Sequence, residues 1–164
     1  MSRTEGKTSH LLMYIEMAVV IVIIVVLLLS NKKPADSKAD FDSMKEAVVS
    51  AADTSVMEEA GTQTLKRLYG LDASDYDGVV LYTPSSAMGA EELLLVKLKS
   101  DDQMDTVYAA IMNRLDTQLN NFEGYGAEQT ELLNSALIIT QGNYALLSVG
   151  KDNDAVRAAF DKVY

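Results

Sequence analysis

The stretch ELLLVKLKS, residues 92–100, carries a clear strand pattern and decides the class of the domain around it. Leu94, Val96 and Leu98 alternate with two lysines, which predicts a β-strand with one apolar face and one charged face. The earlier segment DGVVLYTP, residues 77–84, is β-branched and aromatic and lies between turn formers. It predicts a second strand, and the two strands begin a sheet.

Helical spacing precedes these strands. Phe41, Met44 and Val48 recur at intervals of three and four residues, which predicts a first helix. A second helical stretch ends in LKRLYG, residues 65–70, where Gly70 suits a left-handed C-cap.

The remainder of the chain repeats the order of two strands and a helix. A long amphipathic helix is predicted over about residues 101–122, and the segment EGYGAEQ ends it. ALIIT and YALLSV then predict a hairpin around Gly142 and Asn143, and DAVRAAFDKVY predicts a closing helix. The predicted order is ααββαββα, which indicates an α+β domain with a mostly antiparallel four-stranded sheet and helices on one face.

The N-terminal part of the chain predicts a membrane anchor. After a tail at residues 1–10, residues 11–29 contain 18 apolar residues and one acid, Glu16. As a helix this segment is about 28 Å long, which just spans a hydrocarbon core of about 30 Å. Glu16 lies near one edge, where its carboxylate can reach the headgroups. We expect an uncleaved signal anchor, a linker at residues 30–40 and a main domain at residues 41–164.

Composition excludes several classes of function. Residues 34–164 carry 10 Lys/Arg and 22 Asp/Glu, a net charge of −12, which opposes binding to nucleic acid and anionic lipid. There is no cysteine, and the single histidine, His10, precedes the anchor. The domain therefore has no thiol nucleophile, no thiolate or histidine metal site and no Ser-His-Asp triad. No cofactor, metal site or catalytic residue is predicted.

Two acidic segments remain as weak candidates for cation binding. DASDYDG, residues 72–78, resembles part of a calcium loop but lacks the acids that such a loop needs at its first and twelfth positions. Asp101, Asp102 and Asp105 cluster where a helix is predicted to begin, and acids are favoured there by the helix dipole. The alternative to a cation site is a solvated turn in the first case and a helix N-terminus in the second.

One cluster stands out as a possible ligand or partner face. Arg114, Gln118, Phe122 and Tyr125 fall along one helix face and just past its end. An arginine, an amide and two aromatic rings could bind a peptide or a glycan. The alternative is structural: Phe122 fills the core, and Arg114 and Gln118 bond to nearby backbone.

Several segments together resemble a bacterial family described as domain of unknown function 4358. They are LKRLYGLDASDYDGVVLY, AEELLLVKLKS with Glu92 before the second strand, RLDTQLNNFEGYGAEQ, and QGNYALLSV with the closing helix. The resemblance implies an exported domain tethered to the cell envelope, and hence an extracytoplasmic orientation, which the nearly equal flanking charges leave open. The family pattern often has proline after Tyr125, whereas this chain has Gly126. The resemblance implies no reaction, ligand or partner.

These observations favour a membrane-anchored, non-enzymatic module that binds an envelope protein or a cell-wall component. A first alternative is an envelope hydrolase or cation-binding protein that uses Asp or Glu. It predicts two close carboxyl groups with raised pKa in a cleft. A second alternative is a pilus or secretion-machine subunit. Its pilin form requires processing before Leu12, where Leu11 replaces the usual small residue.

Overall fold

A computed structural model describes residues 14, 16–24 and 35–164 of the chain. Residues 16–24 are helical and belong to one compact unit, and residues 35–164 belong to a second. Within the described residues, no helix combines the length and apolar character needed to cross a bilayer. The anchor predicted at residues 11–29 extends past residues 16–24 on both sides, and nine of its 19 residues lie outside the described residues.

The second unit contains five α-helices and five β-strands in its described residues. The helices are α1 (Phe41–Ala51), α2 (Thr62–Tyr69), α3 (Met104–Phe122), α4 (Ala127–Asn134) and α5 (Asn153–Val163). The strands are β1 (Met57–Ala60), β2 (Gly78–Pro84), β3 (Glu92–Lys97), β4 (Leu137–Gln141) and β5 (Tyr144–Val149). Short 3₁₀ turns precede β1, β2 and α3. The α+β class is confirmed.

The strands form one antiparallel sheet in the order β1-β2-β3-β5-β4. The prediction of four strands is wrong, because β1 adds a fifth at the edge. Its sequence, MEEA, places two acids side by side and has no apolar alternation. An edge strand with one partner tolerates such a sequence, and charge there discourages pairing with another chain. The short helix α4 was likewise not predicted.

The prediction of helices on one face is also wrong, because the central strand β3 is covered on both faces. Leu94 and Val96 lie in one core cluster, whereas Leu93 and Leu95 lie in the other. Side chains alternate across a strand, so a run of leucines supplies both faces. A near-continuous apolar run is typical of a strand buried on two sides.

Each face has its own helical layer. On the first face, α2, α3 and α4 pack through residues that include Leu65, Ile111 and Leu133. On the second face, α1 and α5 lie side by side and pack through residues that include Met44 and Phe160. The domain is therefore a three-layer sandwich.

The segment Ala35–Asp40, which we call the strap, is hydrogen-bonded to the domain although it falls within the predicted linker. The backbone N–H of Ser37 donates to Asn143 Oδ1 at 3.1 Å, and Ser37 Oγ donates to the carbonyl oxygen of Tyr164 at 3.1 Å. The carbonyl oxygen of Ala39 accepts from Lys97 Nζ at 2.9 Å and from Tyr144 Oη at 3.1 Å. Ser37 is buried as a result.

Candidate functional site

A buried ion pair joins the sheet to the first helical layer. Glu92, at the start of β3, is 2% exposed, and Arg114, in the middle of α3, is 9% exposed. Arg114 Nη2 lies 2.7 Å from Glu92 Oε2, and Arg114 Nε lies 3.0 and 3.2 Å from the two carboxylate oxygens. Tyr69, at the end of α2, donates its hydroxyl to Glu92 Oε1 at 2.5 Å. Three elements therefore meet at one carboxylate.

Burial and charge shift the pKa values of both partners of Glu92. Burial raises the pKa of Tyr69 well above its usual value, and the neighbouring negative charge of Glu92 raises it further. Burial alone would lower the pKa of Arg114, but the hydrogen bonds and charge of Glu92 outweigh that effect and raise it. Tyr69 therefore stays protonated and Arg114 stays charged at neutral pH. Neither is poised to exchange a proton there.

The ion pair orients the arginine. Glu92 engages Nε and Nη2 side-on, and this leaves the Nη1 group of Arg114 outside the pair. Sequence reasoning missed Glu92 and Tyr69 as partners of Arg114. The available signal was an acid beginning an otherwise apolar strand and an arginine on the apolar face of a helix, because buried charges require a partner.

Arg114 borders an open depression of about 380 Å³, which we call the polar depression because its lining is mostly polar. It lies between the β2–β3 loop and the C-terminal end of α3. Its lining residues are Pro84, Ser86, Ala87, Gly89, Arg114, Gln118, Asn121, Phe122 and Tyr125. All four residues predicted as a ligand face thus meet at this site, and their binding role stays a prediction.

The oxygen and the nitrogen of the Gln118 amide differ in their hydrogen bonding. Its Oε1 accepts a hydrogen bond from Asn121 Nδ2 at 3.3 Å. Its Nε2 makes no hydrogen bond within the described part of the chain. Gln118 and Arg114 both line the polar depression, and their N–H groups are donors that suit a ligand with oxygen acceptors.

The two aromatic residues have different roles. Phe122 is buried in the first core cluster, as the structural alternative expected. Tyr125 is 65% exposed, but its hydroxyl donates to the carbonyl oxygen of Asn121. The backbone N–H of Gly126 donates to the carbonyl oxygen of Phe122 at 3.0 Å, a bond that proline could not make. The exposed ring of Tyr125 is thus tied to the end of α3.

The acidic segments are engaged in local structure. Asp72 caps the 3₁₀ turn Ala73–Asp75 by accepting from the backbone N–H of Ser74 at 3.1 Å, and it also pairs with Lys66 at 3.3 Å. Hydrogen bonds from Ser74 lower the pKa of Asp72. Asp101 and Asp102 lie in the 3₁₀ turn that leads into α3. Among the described residues, no group of three or more acids or histidines is placed to hold a metal ion.

Comparison with known proteins identifies the family. A family model described as a domain of unknown function, DUF4358, matches residues 50–150, which is 101 of the 164 residues. The match includes all five strands, Tyr69, Glu92, Arg114 and the polar depression. No curated protein and no solved structure matches the chain. The expected resemblance is confirmed: the chain belongs to the DUF4358 family.

Proposed function

We propose that this protein is a single-pass, membrane-anchored domain of the bacterial cell envelope that faces outward and binds a ligand at the polar depression without catalysing a reaction. The anchor is residues 11–29, whose apolar length suits a bilayer. The net charge of −12 over residues 34–164 suits an exposed, soluble domain and disfavours anionic partners.

The observation that carries the binding role is the position of an arginine and an amide side chain beside a fixed aromatic ring. Arg114 and Gln118 line the same depression as Tyr125, whose ring is exposed. Arg114 is held by its ion pair, and Tyr125 is held by its hydroxyl. Preorganised groups lose little conformational entropy when a ligand binds, which favours recognition.

The carboxyl chemistry near the depression supports binding rather than hydrolysis. Glu92 is the buried acid behind the depression, and Arg114 and Tyr69 occupy its oxygens. A general acid or base must instead bring its carboxyl group to the substrate. Glu92 in this arrangement positions Arg114.

Two experiments test the proposal in cells that produce the full-length chain. Fractionation and external protease treatment should place the protein in the membrane with the domain accessible from outside. A photo-cross-linking amino acid at position 125 should label a ligand, whereas the same group at position 108 should not. Tyr108 is a matched control because it is another exposed tyrosine, on α3, and it does not line the depression. Equal labelling from both positions, or none from position 125, would contradict the binding role.

A further inference from the structure

We infer that the ligand of the polar depression is a neutral glycan that carries hydroxyl or acetamido groups. This inference rests on the proposed binding role of the depression and specifies its ligand class. It depends on three features of the site: its charge, its aromatic ring and the position of its apolar residue.

The charge of the site argues against an anionic ligand. Arg114 is the cation that lines the depression, and Glu92 neutralises it from a distance of 2.7 Å. The donors in the lining belong to a guanidinium whose charge Glu92 balances and to the uncharged amide of Gln118. Such donors bind carbonyl and hydroxyl oxygens without demanding a full negative charge. The acidic domain adds repulsion against any polyanion.

The aromatic ring suits a sugar. Tyr125 presents an exposed ring whose hydroxyl bond to Asn121 restricts its movement. The ring centroid lies 6.0 Å from that of Phe122, with the two planes tilted by 50°. A pyranose has a face of C–H groups that can pack on an aromatic ring while its hydroxyl groups reach neighbouring donors. Tyrosine gives such contact area at low entropic cost.

The buried position of Phe122 argues against a protein partner. Strong protein interfaces usually bury an aromatic or arginine anchor in a desolvated pocket of the partner. Phe122, whose apolar ring could line such a pocket, is 4% exposed and belongs to the core. The remaining lining comes from polar side chains, the exposed ring of Tyr125, Pro84 at the end of β2 and the β2–β3 loop. A neutral glycan fits this polar, shallow site better than an apolar anchor does.

The test is titration of the full-length chain in phospholipid nanodiscs with three soluble probes, with binding followed by calorimetry. The probes are chitotetraose, which is neutral and acetamido-bearing, cellotetraose, which is neutral without acetamido groups, and the polyanion polygalacturonate. We expect saturable binding of at least one neutral oligosaccharide and none of the polyanion. Tyr125→Ala should weaken that binding at least tenfold, Tyr125→Phe two- to fivefold, and Tyr108→Ala less than twofold.

The outcomes separate this inference from the proposed function. If neither neutral oligosaccharide binds while cross-linking from position 125 persists, the depression binds another class of ligand and the glycan inference fails alone. A peptide identified in that cross-link would establish the alternative. If oligosaccharide binding is unaffected by Tyr125→Ala, the glycan inference fails at this site. Loss of both signals would overturn the binding role itself.

Discussion

Both faces of the central sheet are buried, but they are covered by different kinds of side chain. The first face, under α2, α3 and α4, encloses the ion pair of Glu92 and Arg114 and leads to the polar depression. The second face, under α1 and α5, is packed mainly by aliphatic and aromatic side chains such as Leu146 and Phe160. An apolar layer can be stable without presenting any group to a ligand. The first face instead places charge in the core, and the buried pair orients a side chain at the surface.

The largest expected effect comes from breaking the ion pair of Glu92 and Arg114 on the first face. Arg114→Met should lower the free energy of unfolding by about 3–5 kcal/mol, because it leaves the Glu92 carboxylate buried without its cation. Replacing the cluster together, with Glu92→Leu, Arg114→Met and Tyr69→Phe, should restore most of that loss. Urea denaturation of the purified variants measures both. If the free energy of unfolding of Arg114→Met lay within about 1 kcal/mol of the wild-type value, leaving Glu92 without its cation would carry no large penalty.

The next-largest effect is expected from a direct comparison of the apolar cores on the two faces of the sheet. Leu146 and Leu147 are neighbours on β5, both fully buried, and they face opposite sides of the sheet. Leu146→Ala and Leu147→Ala should each cost about 2–5 kcal/mol, because each removes a buried side chain and leaves a cavity. The measurement is again urea denaturation. A cost below 1 kcal/mol for one of the two would mean that its face is not a true core.

The third effect is a change of stability with pH, which is expected because each face contains a tyrosine with a raised pKa. Burial raises the pKa of Tyr144 on the second face to about 12, with the charges of Asp40 and Asp77 contributing, and Tyr69 on the first face is also raised. The fold holds these protons after the unfolded chain has lost them at about pH 10. The contribution of these two tyrosines to stability is therefore constant below pH 10 and falls above it, by up to about 1.4 kcal/mol per pH unit for each tyrosine.

Denaturation at pH 8, 10 and 11 measures this alkaline loss. Tyr144→Phe removes one of the tyrosine ionisations that produce this loss, so it should make the decline between pH 10 and 11 shallower. Tyr108→Phe, at an exposed position, is the matched control and should leave the decline as in the wild type. An unchanged slope in Tyr144→Phe would contradict the assignment to that residue.

The smallest effect concerns the strap beside the second face. Ser37→Ala removes the hydroxyl that bonds to Tyr164 and to the backbone N–H of Ala39, at 3.1 Å in each case. A hydrogen bond of this kind contributes about 0.5–1.5 kcal/mol, so cleavage by trypsin after Lys38 should accelerate about two- to tenfold. Cleavage after Lys151 should not change. The exposed serine variant Ser55→Ala is the control, and equal acceleration there would contradict a local role.

Local signals predicted much of the fold. Gly70 is the predicted left-handed C-cap, with φ +70°, and the hairpin turns at Gly142 and Asn143 as expected. These features depend on residues close in sequence, so pattern and turn chemistry are sufficient. The long helix is also present, as Met104–Phe122.

The errors arose where tertiary context decides. β1 forms although its acids carry no strand pattern, because pairing with β2 supplies its hydrogen bonds. Leu93 and Leu95 indicate that β3 is covered on its second face as well. Sequence reasoning followed the alternation of Leu94 and Val96 and overlooked them. The ion pair joins residues 22 positions apart, and no single-sequence pattern pairs such residues. The helix-face periodicity did bring Arg114, Gln118 and Phe122 to one site.

The hydrogen bonds of the strap also determine where a pulling force applied at Ala35 would act on the domain. Tension that enters the domain at Ala35 would reach the β4–β5 turn through Ser37 and Asn143 before it reached α1. It would also pull on Tyr164, which bonds to Ala35 and Ser37 and follows α5. The load would thus be shared between the β4–β5 turn, Tyr164, and the side chains of Lys97 and Tyr144 that bond to Ala39. The first event under force should be detachment of six residues, with the sheet and both helical layers left intact.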